Sequence, residues 1–166
     1  QSTPCPVVFT GFRCRISHRS APHYFTPNTA MTPERLATLH SNSFTVPRPW
    51  SADAFRGLLA QKNIHLIPHE HGFALMSIGG GEAELLTLAV DPEQRRQGIA
   101  RGLMTAMDAL CRNNDVTEVF LEVVDNNAPA RALYTAHGFT VKGARKDYYT
   151  CATGAKVSAV VMAKTL

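Results

Sequence analysis

Apolar residues recur along this chain with two periods, and the period switches tell where the elements lie. Thr32-Pro33-Glu34 opens a helix, with threonine as cap and proline in the first turn, that is expected to run to about Asn42. Ser51 caps a second helix over 52–62, with Phe55, Leu58 and Leu59 on one face. Three apolar runs follow at 64–67, 73–78 and 83–90, separated by turn residues at 69–72 and 79–81, and these predict a three-strand antiparallel meander. Ile99, Leu103, Met107 and Leu110 then repeat at helical spacing, and Asn113-Asn114-Asp115 ends that helix. Residues 117–124 form an apolar strand. Asn127-Ala128-Pro129 starts a last helix that Gly138 stops. Runs at 139–141 and 156–163 predict two final strands, joined through 145–150 and a turn at Thr153-Gly154. The order predicts an α/β (α+β) fold, a mixed sheet with helices on both faces.

Residues 1–30 carry four of the ten prolines and no helical period. Either they supply a first strand, around 7–12 or 23–26, or they are an accessory extension upstream of a start at Met31; the domain proper is expected over 31–166.

Composition narrows the classes. The chain has 166 residues, 45% of them hydrophobic, enough for one domain with a core. No stretch reaches the roughly 18 consecutive apolar residues of a membrane helix, and the first twenty residues lack the apolar centre of a signal peptide, so a cytoplasmic protein is expected. The net charge is +4, but Arg13, Arg15 and Arg19 stand in a segment without acids, so the remainder is nearly neutral and nucleic-acid binding is not expected. Cys5, Cys14, Cys111 and Cys151 have no metal-ligand spacing and are expected to be reduced thiols. His69 and His71 could share a metal only with a third ligand that the sequence does not offer, so a hairpin turn is expected there and no metal.

One stretch asks for chemistry. Between the strand ending at Val90 and the helix beginning near Ile99 lies Arg95-Arg96-Gln97-Gly98-Ile99-Ala100. Glycine lets backbone N–H groups approach a ligand closely, and a helix start offers unpaired N–H groups and the positive end of a dipole. A pyrophosphate is the natural occupant, although the stretch is neither a Walker loop nor a GxGxxG fingerprint, and an ordinary basic helix start has the same composition.

These six residues resemble the R/Q-x-x-G-x-G/A motif of the GNAT acetyltransferase superfamily, with Ala100 where glycine is commonest. Leu86-Thr87-Leu88-Ala89-Val90-Asp91-Pro92 and Asn126-Asn127-Ala128, Ala132-Leu133-Tyr134 and Gly138-Phe139 also match. Within the superfamily the chain most resembles the RimI-type ribosomal-protein N-terminal alanine acetyltransferases, through Pro49-Trp50-Ser51, Leu121-Glu122-Val123 and Arg145-Lys146-Asp147-Tyr148-Tyr149. The similarity runs from about residue 33 to 165. The family's usual first strand is not evident before the first helix.

The resemblance implies a mostly antiparallel twisted sheet, splayed in the middle, with acetyl-CoA as co-substrate in the gap. It implies that Leu88, Ala89 and Val90 pair with the pantetheine arm, and that Arg95, Arg96, Gln97, Gly98, Ile99, Ala100 and Arg101 hold the pyrophosphate. Asn127 would be both helix cap and cofactor contact. Glu122, the one charge in an apolar run, would be the general base, since burying a carboxylate without a partner is costly; pairing with a nearby cation is the alternative, and Glu84 is the reserve base. Tyr134 would touch the cofactor sulfur and act as general acid, or else simply pack. Trp50, Tyr148 and Tyr149 would border the acceptor, or else fill core.

The expected function is direct acetyl transfer from acetyl-CoA to a primary amine, a protein or peptide N-terminal α-amine such as that of a ribosomal protein. A small-molecule amine acceptor and a non-catalytic acyl-CoA-binding module are the alternatives. No cysteine lies in the motif to carry a covalent acetyl group. A monomer is expected, with no membrane partner.

Overall fold

The computed structural model describes residues 31–46, 48–151 and 154–166. The strand or extension expected within 1–30 lies outside the described residues, as does Thr153 of the expected final turn. Helix α1 is Pro33–Ser43, with Thr32 Oγ1 accepting the Arg35 N–H, and α2 is Ala52–Leu59, with Ser51 Oγ accepting the Ala54 N–H. Helix α2 stops short of the expected 62, because the chain turns through Gln61 (Gln61 N–H to Leu58 O, 2.9 Å) to start the first strand.

Strands β1 (Ile64–His69), β2 (Gly72–Gly79) and β3 (Glu82–Val90) form the antiparallel meander. Helix α3 (Ile99–Arg112), strand β4 (Glu118–Val124) and helix α4 (Ala128–Ala136) follow, then β5 (Thr140–Thr150) and β6 (Lys156–Thr165). The six strands lie in the order β1-β2-β3-β4-β6-β5, and only β3 and β4 are parallel.

Strand β5 corrects the expected boundaries. The run expected to end at Val141 continues to Thr150, pairing Arg145 with Ala159 and Tyr149 with Val157, with an irregularity between them. It is an edge strand, exposed along most of its length, so Lys142, Arg145, Lys146 and Asp147 face water and read as loop composition.

Alternate side chains of β2 divide the core. Phe73 and Leu75 pack with Leu36 and Leu39 of α1 and Phe55 of α2, whereas Ala74 and Met76 pack with Leu103, Met104 and Met107 of α3 and with Tyr134 of α4. Phe55 is wholly buried, and truncating such a side chain to alanine costs about 3–5 kcal/mol. Among the described residues no helix is long and apolar enough to cross a membrane, and Cys111 and Cys151 are buried.

The feature that positions the site is the junction of β3 and β4. Their register runs from Glu82↔Glu118 to Leu85↔Leu121 and stops. At that point β3 carries an extra residue: Met76 pairs with Leu85 and Leu75 with Thr87, so Leu86 has no opposite number on β2. Beyond it the two strands part.

Candidate active site

Glu122 is the first residue of β4 past the last pair with β3. It therefore stands where the strands separate, on the face opposite Leu121 and Val123, which point into the α3–α4 core. The carboxylate is 19% exposed, and its Oε1 lies 2.7 Å from Arg145 Nε, so the charge is paired rather than isolated. A cavity of about 370 Å³ opens on this face, lined by Ser77, Glu82, Glu84, Phe120, Glu122 and Arg145, among others. Glu84 is exposed at its rim.

Leu88, Ala89 and Val90 form the free end of β3. Leu88 packs towards the α3 core and Ala89 towards the α1 core. The carbonyl of Val90 accepts from Ser43 Oγ and from Arg95 Nε, each at 3.2 Å, so the strand end is tied both to α1 and to the following loop.

That loop holds two left-handed residues, Arg96 (φ 69°) and Gly98 (φ 82°). A Cβ on Gly98 would meet no protein atom, so glycine is demanded by the backbone conformation and the space before it is open. Gly98 caps α3, and the first helical bond runs from Gly102 N–H to Gly98 O at 2.9 Å. The N–H groups of Ile99, Ala100 and Arg101 thus open the helix without intrahelical acceptors, at the positive end of its dipole. Gln97 is turned back onto Gln94 (2.9 Å). The loop can receive an anion by its backbone, with Arg95 half-buried behind it and Arg96 exposed.

On the other side of β4, Tyr134 lies buried in α4 against Phe139, ring centres 6.0 Å apart. Burial, with the nearby Tyr149 adding, pushes its phenol up to about 12, so it keeps its proton at neutral pH. Tyr149 is pushed up to about 12 too, by burial and then by the negative charge of Glu122. Tyr149 is thus within electrostatic reach of both Glu122 and Tyr134. Tyr148 is 47% exposed, with its ring centre 4.9 Å from that of Tyr149. Asn127 Oδ1 accepts the Ala130 N–H at 3.2 Å and caps α4.

Trp50 sits apart from the tyrosines, on the α1 side of the sheet, in an aromatic group around His40 (ring centres 5.2 Å apart). The structure places Glu122 where β3 and β4 part, the glycine loop beyond the end of β3 and Tyr134 on the other face of β4, and leaves Trp50 on the neighbouring helical layer.

Sequence reasoning missed Arg145 as the partner of Glu122, and His40 as the residue holding the Trp50 loop. The Arg145 pairing depends on the β4–β6–β5 register, which no local pattern carries. His69 and His71 sit at the β1–β2 hairpin, where His69 Nδ1 accepts the His71 N–H at 3.1 Å, and among the described residues no group of three side chains could hold a metal.

Comparison with known proteins places the same segments in context. The profile of the Acetyltransferase (GNAT) family matches residues 33–139. The [ribosomal protein bS18]-alanine N-acetyltransferase of Escherichia coli K12 is 32% identical over 119 residues, covering 69% of this chain and 80% of that protein. The N-alpha-acetyltransferase RimI of Mycobacterium tuberculosis is 32% identical over 125 residues, covering 70% and 77%. The crystal structure of the Escherichia coli ribosomal-protein-S18-alanine N-acetyltransferase superposes with a TM-score of 0.69 at 28% identity, over 78% of this chain and 84% of that one.

Proposed function

The chain belongs to the GNAT acetyltransferase family, and on that premise we propose that it moves the acetyl group of acetyl-CoA directly onto the α-amine of a protein N-terminus. An alanine of a ribosomal protein is the acceptor that the name of the Escherichia coli relative supports, and the name of the Mycobacterium tuberculosis relative supports an α-amine. Residues 31–166 form the catalytic domain. The observation that carries the reading is the parting of β3 and β4 at Glu122, with an anion-receptive helix start beyond β3.

In this reading the backbone from Arg95 to Arg101 receives the pyrophosphate, while Leu88, Ala89 and Val90 line the pantetheine arm as an added strand. Asn127, at the start of α4, supports the same arm. The acceptor approaches from the cavity on the Glu122 face, bordered by Tyr148 and Tyr149. Glu122 takes a proton from the entering ammonium, directly or through water. The neutral nitrogen attacks the thioester carbon, an N–C bond forms, the nitrogen releases its second proton to water, and the C–S bond breaks. The departing thiolate takes a proton from Tyr134, a phenol that burial keeps protonated. Glu122 then returns its proton to solvent, and Tyr134 is reprotonated from it.

The test is a panel of alanine-initiated peptides set against small amines, with release of free CoA as readout. Turnover of the peptides over the amines is the expected result. Preference for a small amine would move the acceptor to the alternative class, and CoA binding without release would leave a binding module.

A further inference from the structure

We propose that Arg145 is a displaceable counter-ion of Glu122, whose place on the carboxylate is taken by the acceptor's ammonium group as it enters the cavity. The proposal rests on the reading of Glu122 as the group that meets the acceptor amine.

The two partners are unequal. Glu122 is fixed in the middle of a paired strand and is 19% exposed, whereas Arg145 is 55% exposed, on an edge strand, at the end of a long side chain. Of the two, the guanidinium is the one free to move. A second partner is already in contact: while bonded to Glu122, the Arg145 guanidinium carbon also lies 5.1 Å from the centre of the Tyr148 ring, a cation–π contact that can hold the guanidinium when the carboxylate is taken. The irregularity between Arg145 and Tyr149 sets that ring. Within it Asp147 is left-handed (φ 53°), and its N–H bonds Ser158 Oγ at 3.3 Å.

Charge favours the exchange. Glu82 and Glu84 from β3 and Glu122 from β4 line the cavity, with Arg145 from β5 as the cation among its lining residues. Tyr149 also faces Glu122 from β5, and Val161, opposite Glu122 on β6, is apolar. An ammonium entering here meets an excess of carboxylates, which a neutral amine does not exploit. Two cations repel at close range, so guanidinium and ammonium do not share the carboxylate. An ion pair with one half-exposed partner contributes little, so the incoming cation can replace it.

The consequence is a binding signature. With the protein saturated with CoA, calorimetry compares an alanine-initiated peptide with the same peptide bearing a hydroxyl in place of its α-amine. Arg145→Gln removes the competitor, so the amino peptide should bind about 5-fold tighter than to wild type, the ratio that matches about 1 kcal/mol. The hydroxy peptide should bind both proteins alike, and Arg145→Lys should stay near wild type. Weaker or unchanged binding of the amino peptide to Arg145→Gln overturns the exchange, as does an equal shift for both peptides. Glu122→Gln should erase the preference for the amino peptide. If it does not, Glu122 does not meet the amine, and it is the underlying reading that fails.

Discussion

The imidazole of His40 bridges two segments: its Nδ1 accepts the Trp50 backbone N–H at 3.2 Å, and its Nε2 lies 3.2 Å from Thr87 Oγ1. Because Nδ1 accepts, the proton of the neutral ring sits on Nε2, which donates to Thr87. The ring is wholly buried and stacked between Phe44 and Trp50, at 4.4 and 5.2 Å. Thr87 immediately follows the extra residue of β3, so one side chain fixes the Trp50 loop against the strand that leads into the gap.

Burial pushes His40 down to about 4 from 6.5, which sets a pH dependence of stability. The unfolded chain binds a proton at this residue below about pH 6.5 and the folded protein does not until about pH 4, so stability is present above pH 6.5 and falls across that window. The loss should be on the order of 2 kcal/mol between neutral pH and about pH 4.5. Urea unfolding at both pH values should show this loss in wild type and a smaller one in His40→Gln. Equal losses in the two proteins would mean that His40 is protonated in the fold.

Gly98→Val places a β-branched residue at a left-handed position and in the open space before the helix start. Affinity for acetyl-CoA should fall at least about 10-fold, equivalent to about 1.4 kcal/mol. Titration calorimetry reads it directly. Unchanged affinity would take the pyrophosphate away from this loop.

Tyr134→Phe removes the buried phenol and keeps the ring against Phe139. As general acid its loss should lower kcat by roughly 10²-fold, while the Kd for CoA changes little. A kcat equal to wild type would reduce Tyr134 to a packing residue.

Much of this architecture was written in local signals. Thr32, Ser51 and Asn127 each cap a helix where a short polar side chain precedes a helical period, and Gly98 and Gly138 occupy left-handed positions that favour glycine. The meander and α3 followed from period alone. What stayed hidden depends on contacts between distant segments. Strand β5 carries edge-strand charge in place of an apolar alternation, so its length could not be read. The partner of Glu122 comes from that same strand, two neighbours away in the sheet. His40 looked like one more polar helix residue, because nothing near it in sequence announces Thr87 as its partner.

Whether residues 1–30 supply a first strand or are an accessory extension is open to a direct comparison, and a strand there would cover an edge of the sheet, β1 being one edge of the described sheet. Chain 1–166 should melt a few degrees above chain 31–166, since about 1 kcal/mol moves a domain of this size by roughly 2–4 °C. Equal melting temperatures would leave the segment no part in the fold.

The most direct test follows the acetyl group itself. An alanine-initiated peptide with one internal lysine is incubated with saturating acetyl-CoA and either wild type or Glu122→Gln, and fragmentation mass spectrometry locates and times the label. Wild type should place one acetyl group on the α-amine, and Glu122→Gln should do so roughly 10²-fold more slowly with its acetyl-CoA affinity intact. Acetylation of the lysine instead, or an undiminished rate in Glu122→Gln with the loss appearing in Glu84→Gln, would contradict an N-terminal acetyltransferase working through Glu122.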